Sequence, residues 1–167
     1  MEYLIQLMTY VETEMRLPVI YIIKLVFANK TTRNEALTLY HQNICGLRRQ
    51  INELSMSFYI HTPHILCFSE HYLKHTQRNF ILFEKYILGA EHCRQFFDGG
   101  WVCIFIHKAL KFSTINLHEF CKDNDLEVCT ILLELSYIKI FVTAVHRSPS
   151  GDFQSFLNTL EAILQYF

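Results

Sequence analysis

Residues 37–70 constrain this chain more than any other stretch. LTLYHQN (37–43) is a strand by its Leu and Tyr content, and HILCFSE (64–70) is an apolar run of strand length. Between them, LRRQINELSMSFYI (47–60) spaces Leu47, Ile51, Leu54 and Phe58 at helical intervals, with Arg48, Arg49, Asn52 and Glu53 on the other side. Pro63 stops that helix. Strand, helix, strand is a crossover, and a crossover makes its two strands parallel neighbours. Each strand closes on a polar residue, Asn43 on the first and Glu70 on the second. The two are therefore expected side by side.

The remaining runs follow other rules. KYILGAEHC (85–93) and WVCIFIH (101–107) flank Asp98-Gly99-Gly100, a turn signal that predicts antiparallel pairing. LEVCTILLELS (126–136) and YIKIFVTAV (137–145) abut closely enough to form a second hairpin, and His146-Arg147 closes it. Asp152 is placed to cap an amphipathic helix built on Phe153, Phe156, Leu157, Leu160, Ile163 and Leu164. Strand, helix, strand, hairpin, hairpin, helix predicts a layered α/β or α+β domain. Residues 1–35 differ: an apolar stretch without turn chemistry precedes the polar patch NKTTRNE (29–35).

Composition narrows the class. At 167 residues and 51% apolar content, the chain suits one domain with a real core. A net charge of −1 argues against a broadly basic nucleic-acid surface, leaving local clusters such as Arg48-Arg49 or Lys108 and Lys111. None of the six cysteines forms a C-x-x-C pair, and most sit in apolar runs, which reads as reduced, core-packed thiols of an intracellular protein. Glu2, Glu12 and Glu14 interrupt the start, so no signal peptide is expected. The best membrane candidate, LPVIYIIKLVFA (17–28), is too short to span and contains Lys24.

Glu70 ends an otherwise apolar strand, where a carboxylate is costly unless paired, solvent-facing or metal-bound. One carboxylate beside one amide is a plausible fragment of a magnesium site, because hard cations take oxygen ligands and retain waters. The bland alternative is that strand ends are polar because they reach water. His71 and His75, with His61 and His64 nearby, have spacing conceivable for zinc, but no third ligand follows at zinc spacing, and surface histidines after a strand are common. His41 and His107 read as packed or edge residues. Arg147 either meets phosphate or caps the turn before Pro149.

Four strings in order, QNICGL (42–47), ILCFSEHYL (65–73), GGWVCIF (99–105) and VHRSPSGDF (145–153), resemble the endonuclease/exonuclease/phosphatase superfamily. The likeness is closest to the apurinic-type endonuclease domain of non-long-terminal-repeat retrotransposons. It covers about residues 36–167, leaving 1–35 as an amino-terminal extension, and includes the helix FxxFLxxLExIL after Arg-Ser-Pro. The resemblance implies a magnesium-dependent phosphodiesterase acting on DNA, in the nucleus for a functional element. It makes Glu70 the magnesium ligand, places Asn43 in the metal's outer shell or on the scissile phosphate, and favours phosphate for Arg147. A tyrosine usually precedes Arg-x-Pro in this family and touches the phosphate; here that position is His146. Trp101 stands where a third glycine is common.

The family's Asp-x-Asn and Ser-Asp-His motifs are absent from these residues. Phosphodiester hydrolysis needs a base-activated water and a stabilised phosphorane, so the expectation is an amino-terminal half-domain that does not cleave DNA alone. In the family two sheets pack face to face between helical layers. An incomplete four-layer sandwich would leave a sheet face of Leu66, Phe68, Ile104, Ile106 and Phe141 partly exposed, predicting aggregation or a covering protein partner. The alternative to a truncated endonuclease is then a non-catalytic interaction module on the same half-fold.

Overall fold

A computed structural model of the chain describes the backbone of residues 19–27, and residues 37–73, 83–92, 101–122, 125–135 and 138–167. The crossover forms as its pattern dictates. β2 (Leu39–Asn43) leads into α1 (Leu47–Ile60) and then β3 (Ile65–Ser69), and β2 pairs parallel with β3. β4 (Tyr86–His92) and β5 (Val102–His107) pair antiparallel, and β5 also pairs with β3, giving the order β2-β3-β5-β4. The Asp98-Gly99-Gly100 turn lies outside the described residues.

β7 (Leu126–Leu135) and β8 (Ile138–Arg147) form the second hairpin. They do not extend the first sheet. β8 takes β1 (Val19–Phe27) on its other edge, and β7 takes β6 (Phe112–Ile115), giving a separate antiparallel sheet ordered β1-β8-β7-β6. The apolar run considered for the membrane thus contains an edge strand, and no helix among the described residues is long and apolar enough to cross a membrane.

The two sheets pack face to face through alternate residues. Ile65 and Cys67 of β3 and Val102, Ile104 and Ile106 of β5 meet Cys129, Ile131 and Leu133 of β7 and Ile140, Val142 and Ala144 of β8. The opposite face of the first sheet carries Leu66, Phe68, Cys103 and Phe105, which α1 covers with Leu47, Leu54 and Phe58. α2 (Phe153–Tyr166) lays Phe156, Leu160 and Ile163 over Leu126, Val128 and Val145 of the second sheet, and the Asp152 side chain accepts from the Ser155 N–H at 2.6 Å. The layers run helix, sheet, sheet, helix.

This corrects the expected bare face. Leu66, Phe68, Ile104 and Ile106 are each 0% exposed. Phe141, half-buried, stacks on Phe167 with ring centroids 4.6 Å apart. The second sheet is present because the 126–145 hairpin founds it instead of joining the first. Of the thiols expected to pack in the core, Cys67, Cys103 and Cys129 are buried, Cys121 is half-buried and Cys45 is exposed.

Candidate active site

The chain turns sharply where β2 and β3 end, and these turns build the site. After Asn43, Cys45 (φ 42) and Gly46 (φ 106) take left-handed backbone that swings the chain into α1. After Ser69, Glu70 (φ 53) and Tyr72 (φ 51) do the same, as does Trp101 (φ 80) where the chain enters β5. Left-handed backbone at a non-glycine residue costs on the order of 1–3 kcal/mol and persists only where surrounding contacts impose it. Those contacts are visible. Ile44, Gly46 and Leu47 donate their N–H groups to the carbonyls of Ser69, Glu70 and His71 at 2.9–3.0 Å, and Glu70 N–H donates to the Trp101 carbonyl at 2.8 Å.

The Glu70 carboxylate is thereby fixed at one end of the sandwich. Its Oε2 accepts from the Tyr72 hydroxyl at 3.1 Å and from the Cys45 thiol at 3.2 Å. That thiol also lies 3.5 Å from Asn43 Oδ1, and its one proton serves one acceptor at a time. The Glu70 Oε1 atom faces His146 Nε2 at 3.7 Å. On the far side of the ring, His146 Nδ1 lies 3.5 Å from Glu127 Oε2. Both separations exceed hydrogen-bond length, so the carboxylates act on the imidazole chiefly as charges. Glu127 also accepts from the Trp101 N–H.

These contacts close a ring that ties the two sheets together. Glu127 holds the Trp101 N–H, the Trp101 carbonyl holds Glu70, Glu70 faces His146, and His146 faces Glu127. Strand alternation places two members. His146 has the parity of Val142 and Ala144, and Glu127 that of Cys129 and Ile131, so both point between the sheets at their open end. They are also directly opposed in the β7–β8 register.

Burial makes the electrostatics strong. The side chains of Glu127, His146 and Glu70 are 1%, 3% and 13% exposed. Burial alone would push His146 down; Glu127 and Glu70 together outweigh it and raise it to about 9, so the ring is an imidazolium at neutral pH. His146 in turn draws Glu70 down to about 2 against the opposing effect of burial, helped by Cys45, Asn43 and Tyr72. Neighbouring His71 has the opposite character. It is buried rather than at the surface, its Nδ1 accepts from the Leu73 N–H at 3.1 Å, and burial lowers it to about 4.

The structure therefore brings together Asn43, Glu70 and His146. Arg147 stands apart: as the next residue on β8 it projects to the opposite face, where its Nη1 donates to the Gly151 carbonyl at 3.2 Å and its guanidinium lies 5.7 Å from the Phe153 ring centre. That is the turn-capping position. His75 lies outside the described residues, and among those described no three His, Cys, Asp or Glu side chains are grouped to hold a metal ion.

The magnesium implied by the resemblance does not fit this arrangement. Magnesium needs oxygen ligands in near-octahedral geometry at about 2.0–2.1 Å. Here one edge of Glu70 meets an imidazolium and the other meets two hydrogen-bond donors. Neither ring member is set for proton transfer near neutrality: Glu70 releases its proton far below it and His146 holds its own above it. Cys45 is no more reactive, since burial and then Glu70 raise its thiol.

Sequence reasoning missed Glu127, although LEVCTILLEL carries the signal: a carboxylate at the parity of three core residues. Compared with known proteins, the chain matches no family model and no curated protein.

Proposed function

We propose that the chain is a DNA-directed phosphodiesterase domain of the endonuclease/exonuclease/phosphatase type, similar to the apurinic-type endonuclease domain of retrotransposons, and that these 167 residues alone do not cleave DNA. The observation that carries it is the meeting of Asn43, Glu70 and the residue before Arg-Ser-Pro, His146, at one end of a two-sheet sandwich flanked by helices. These positions are far apart in sequence, and the resemblance assigns all three to one site. The silence follows from the groups at hand. None of them is poised to activate water, and the chain contains no Asp-x-Asn or Ser-Asp-His string.

The test is nicking of an abasic or supercoiled plasmid by purified protein with magnesium. No nicking is expected. Magnesium-dependent nicking that disappears with Glu70→Ala would overturn the silent-site reading. The family reading is tested on the DNA downstream of the Phe167 codon, where a frame running into Gly-Asp-x-Asn and a reverse transcriptase is expected and a stop codon counts against it.

One observation favours the interaction-module reading. Met56, Tyr59 and Ile60 are 74%, 70% and 75% exposed on the outer side of α1, beside a shallow pocket lined by Phe58, Phe83 and Lys85. A soluble complex lost with Met56→Glu and Ile60→Glu, with unfolding unchanged, would support it; concentration-independent monomeric behaviour with no such complex would count against it.

A further inference from the structure

The outer face of α1 carries side chains that neither the core nor the candidate site uses. Met56, Tyr59 and Ile60 lie close together on it, each largely exposed. Beside them, between α1 and the start of β4, a pocket of about 140 Å³ opens among Phe58, Phe83 and Tyr86, close to the volume that takes up a benzene ring. The Lys85 ammonium stands 5.0 Å over the Tyr59 ring, and the Lys108 N–H donates to the Lys85 carbonyl. Arg48 and Arg49 are exposed in the first turn of the same helix, where the helix dipole disfavours cations, so the fold gains nothing from their charge. Among the described residues, no carboxylate lies within ion-pair distance of these four cations. Glu53 and Glu84 oppose them nearby, two charges against four, in a chain whose net charge is −1.

We propose that this face docks an acidic amphipathic helix of a protein partner, with apolar side chains over Met56 and Ile60, one of them entering the pocket, and carboxylates meeting Arg49 and Lys85. This rests on the interaction-module reading and adds the partner's chemistry. The excess of unpaired cations selects acidic character. Met56 and Ile60, one turn apart, suit a helix that presents its own apolar residues at i, i+3 and i+4. A second copy fits less well. A two-fold axis would set the same cations against themselves, and three side chains fall short of the roughly 800 Å² that each partner of a stable interface buries. Single-stranded nucleic acid would also meet the cations, but its bases stack on aromatic faces, and Lys85 covers that of Tyr59, the exposed aromatic of α1. Ile60 lies about 20 Å along α1 from the Glu70 end, so an occupied face leaves the candidate site uncovered.

The probe is a phage-displayed library of random peptides of about 16 residues, long enough for a helix, selected on the immobilised protein and counter-selected on Met56→Glu with Ile60→Glu. Enriched sequences are expected to space apolar residues at i, i+3 and i+4 and to carry an excess of Asp and Glu. The most enriched peptide, followed by fluorescence anisotropy, should bind at least about tenfold more weakly to Met56→Glu with Ile60→Glu. Arg49→Glu with Lys85→Glu should weaken it as much, and that loss should shrink in about 0.5 M salt. Circular dichroism checks the fold of both variants, whose altered side chains lie outside the core clusters. Enrichment of basic or uncharged peptides that still require Met56 and Ile60 overturns the acidic partner and leaves the interaction-module reading standing. Failure of every peptide to distinguish wild type from Met56→Glu with Ile60→Glu overturns both. A wild-type dimer abolished by those two substitutions, or oligothymidylate binding lost with Arg49→Glu, also overturns the proposal.

Discussion

Replacing Glu127 by glutamine removes one negative charge beside His146 while keeping an amide oxygen to accept from the Trp101 N–H. The expected effect is therefore on the proton of His146 and not on the backbone. In the folded protein His146 is raised from 6.5 to about 9, which corresponds to about 3 kcal/mol of preference for the folded state. A group raised on folding contributes fully below its unfolded value and loses that contribution as pH rises through the folded one. On this account wild-type stability should be complete below pH 6.5, fall as pH rises from 6.5 through about 9, and lack this contribution above it. Glu70 acts on the other limb: drawn from 4.5 to about 2, it contributes above 4.5 and loses that contribution as pH falls through about 2. With Glu127→Gln, burial still pushes His146 down while one of the two raising charges is gone. The variant should be less stable by about 1–3 kcal/mol near pH 6.5, and the gap should close or reverse above pH 9, where the ring is neutral and the Glu127 charge no longer attracts it.

Urea unfolding read by Trp101 fluorescence suits the measurement, because Trp101 is the sole tryptophan and sits in the ring. Buried Cys67 and Cys129, whose thiols burial raises, also cost stability at alkaline pH, but equally in both proteins, so the difference between the two isolates His146. A gap that stays constant from pH 6.5 to above 9 would refute the reasoning and reduce Glu127 to a backbone anchor.

Three other outcomes follow from local geometry. Gly89 sits at the β4 bulge between the sheets, and a Cβ there would press on the Ile106 side chain and lie 3.2 Å from Ile131 Cγ2, so Gly89→Ala should cost about 1–3 kcal/mol in urea unfolding, with Ile106→Val recovering part. Asp152→Ala removes the cap on the Ser155 N–H and should cost about 1 kcal/mol with an unchanged denaturant slope. Cys45 is exposed but its thiol is raised by burial and by Glu70, so a thiol reagent should label it more slowly than a free thiol; Cys45→Ser should remove that phase, and Glu70→Gln should speed it.

The local elements were legible because each carries its own pattern. The helical spacing from Leu47 to Phe58 predicted α1, the crossover predicted parallel β2 and β3 with Asn43 level with Ser69 and next to Glu70, and Asp152 announced α2. β6 was not legible: FSTI is four residues long and half-exposed, too short for a periodic signal. The partition into sheets was hidden too, since nothing in the 126–145 hairpin says which edge it takes. That depends on which apolar faces cover one another once β1 and β6 are in place.

The sequence by itself determined the order of elements, the two polar strand ends and the identity of the residue before Arg-Ser-Pro. Only the tertiary structure decided that His146 lies between two carboxylates. Strand parity aims Glu127 and His146 inward, but their charges matter only because sheet packing buries them and left-handed turns at Glu70 and Trp101 bring the first sheet's end to meet them. In water those charges would be screened and Glu70 would be an ordinary carboxylate. Excluded from water, the same groups fix one another's protons and close the site.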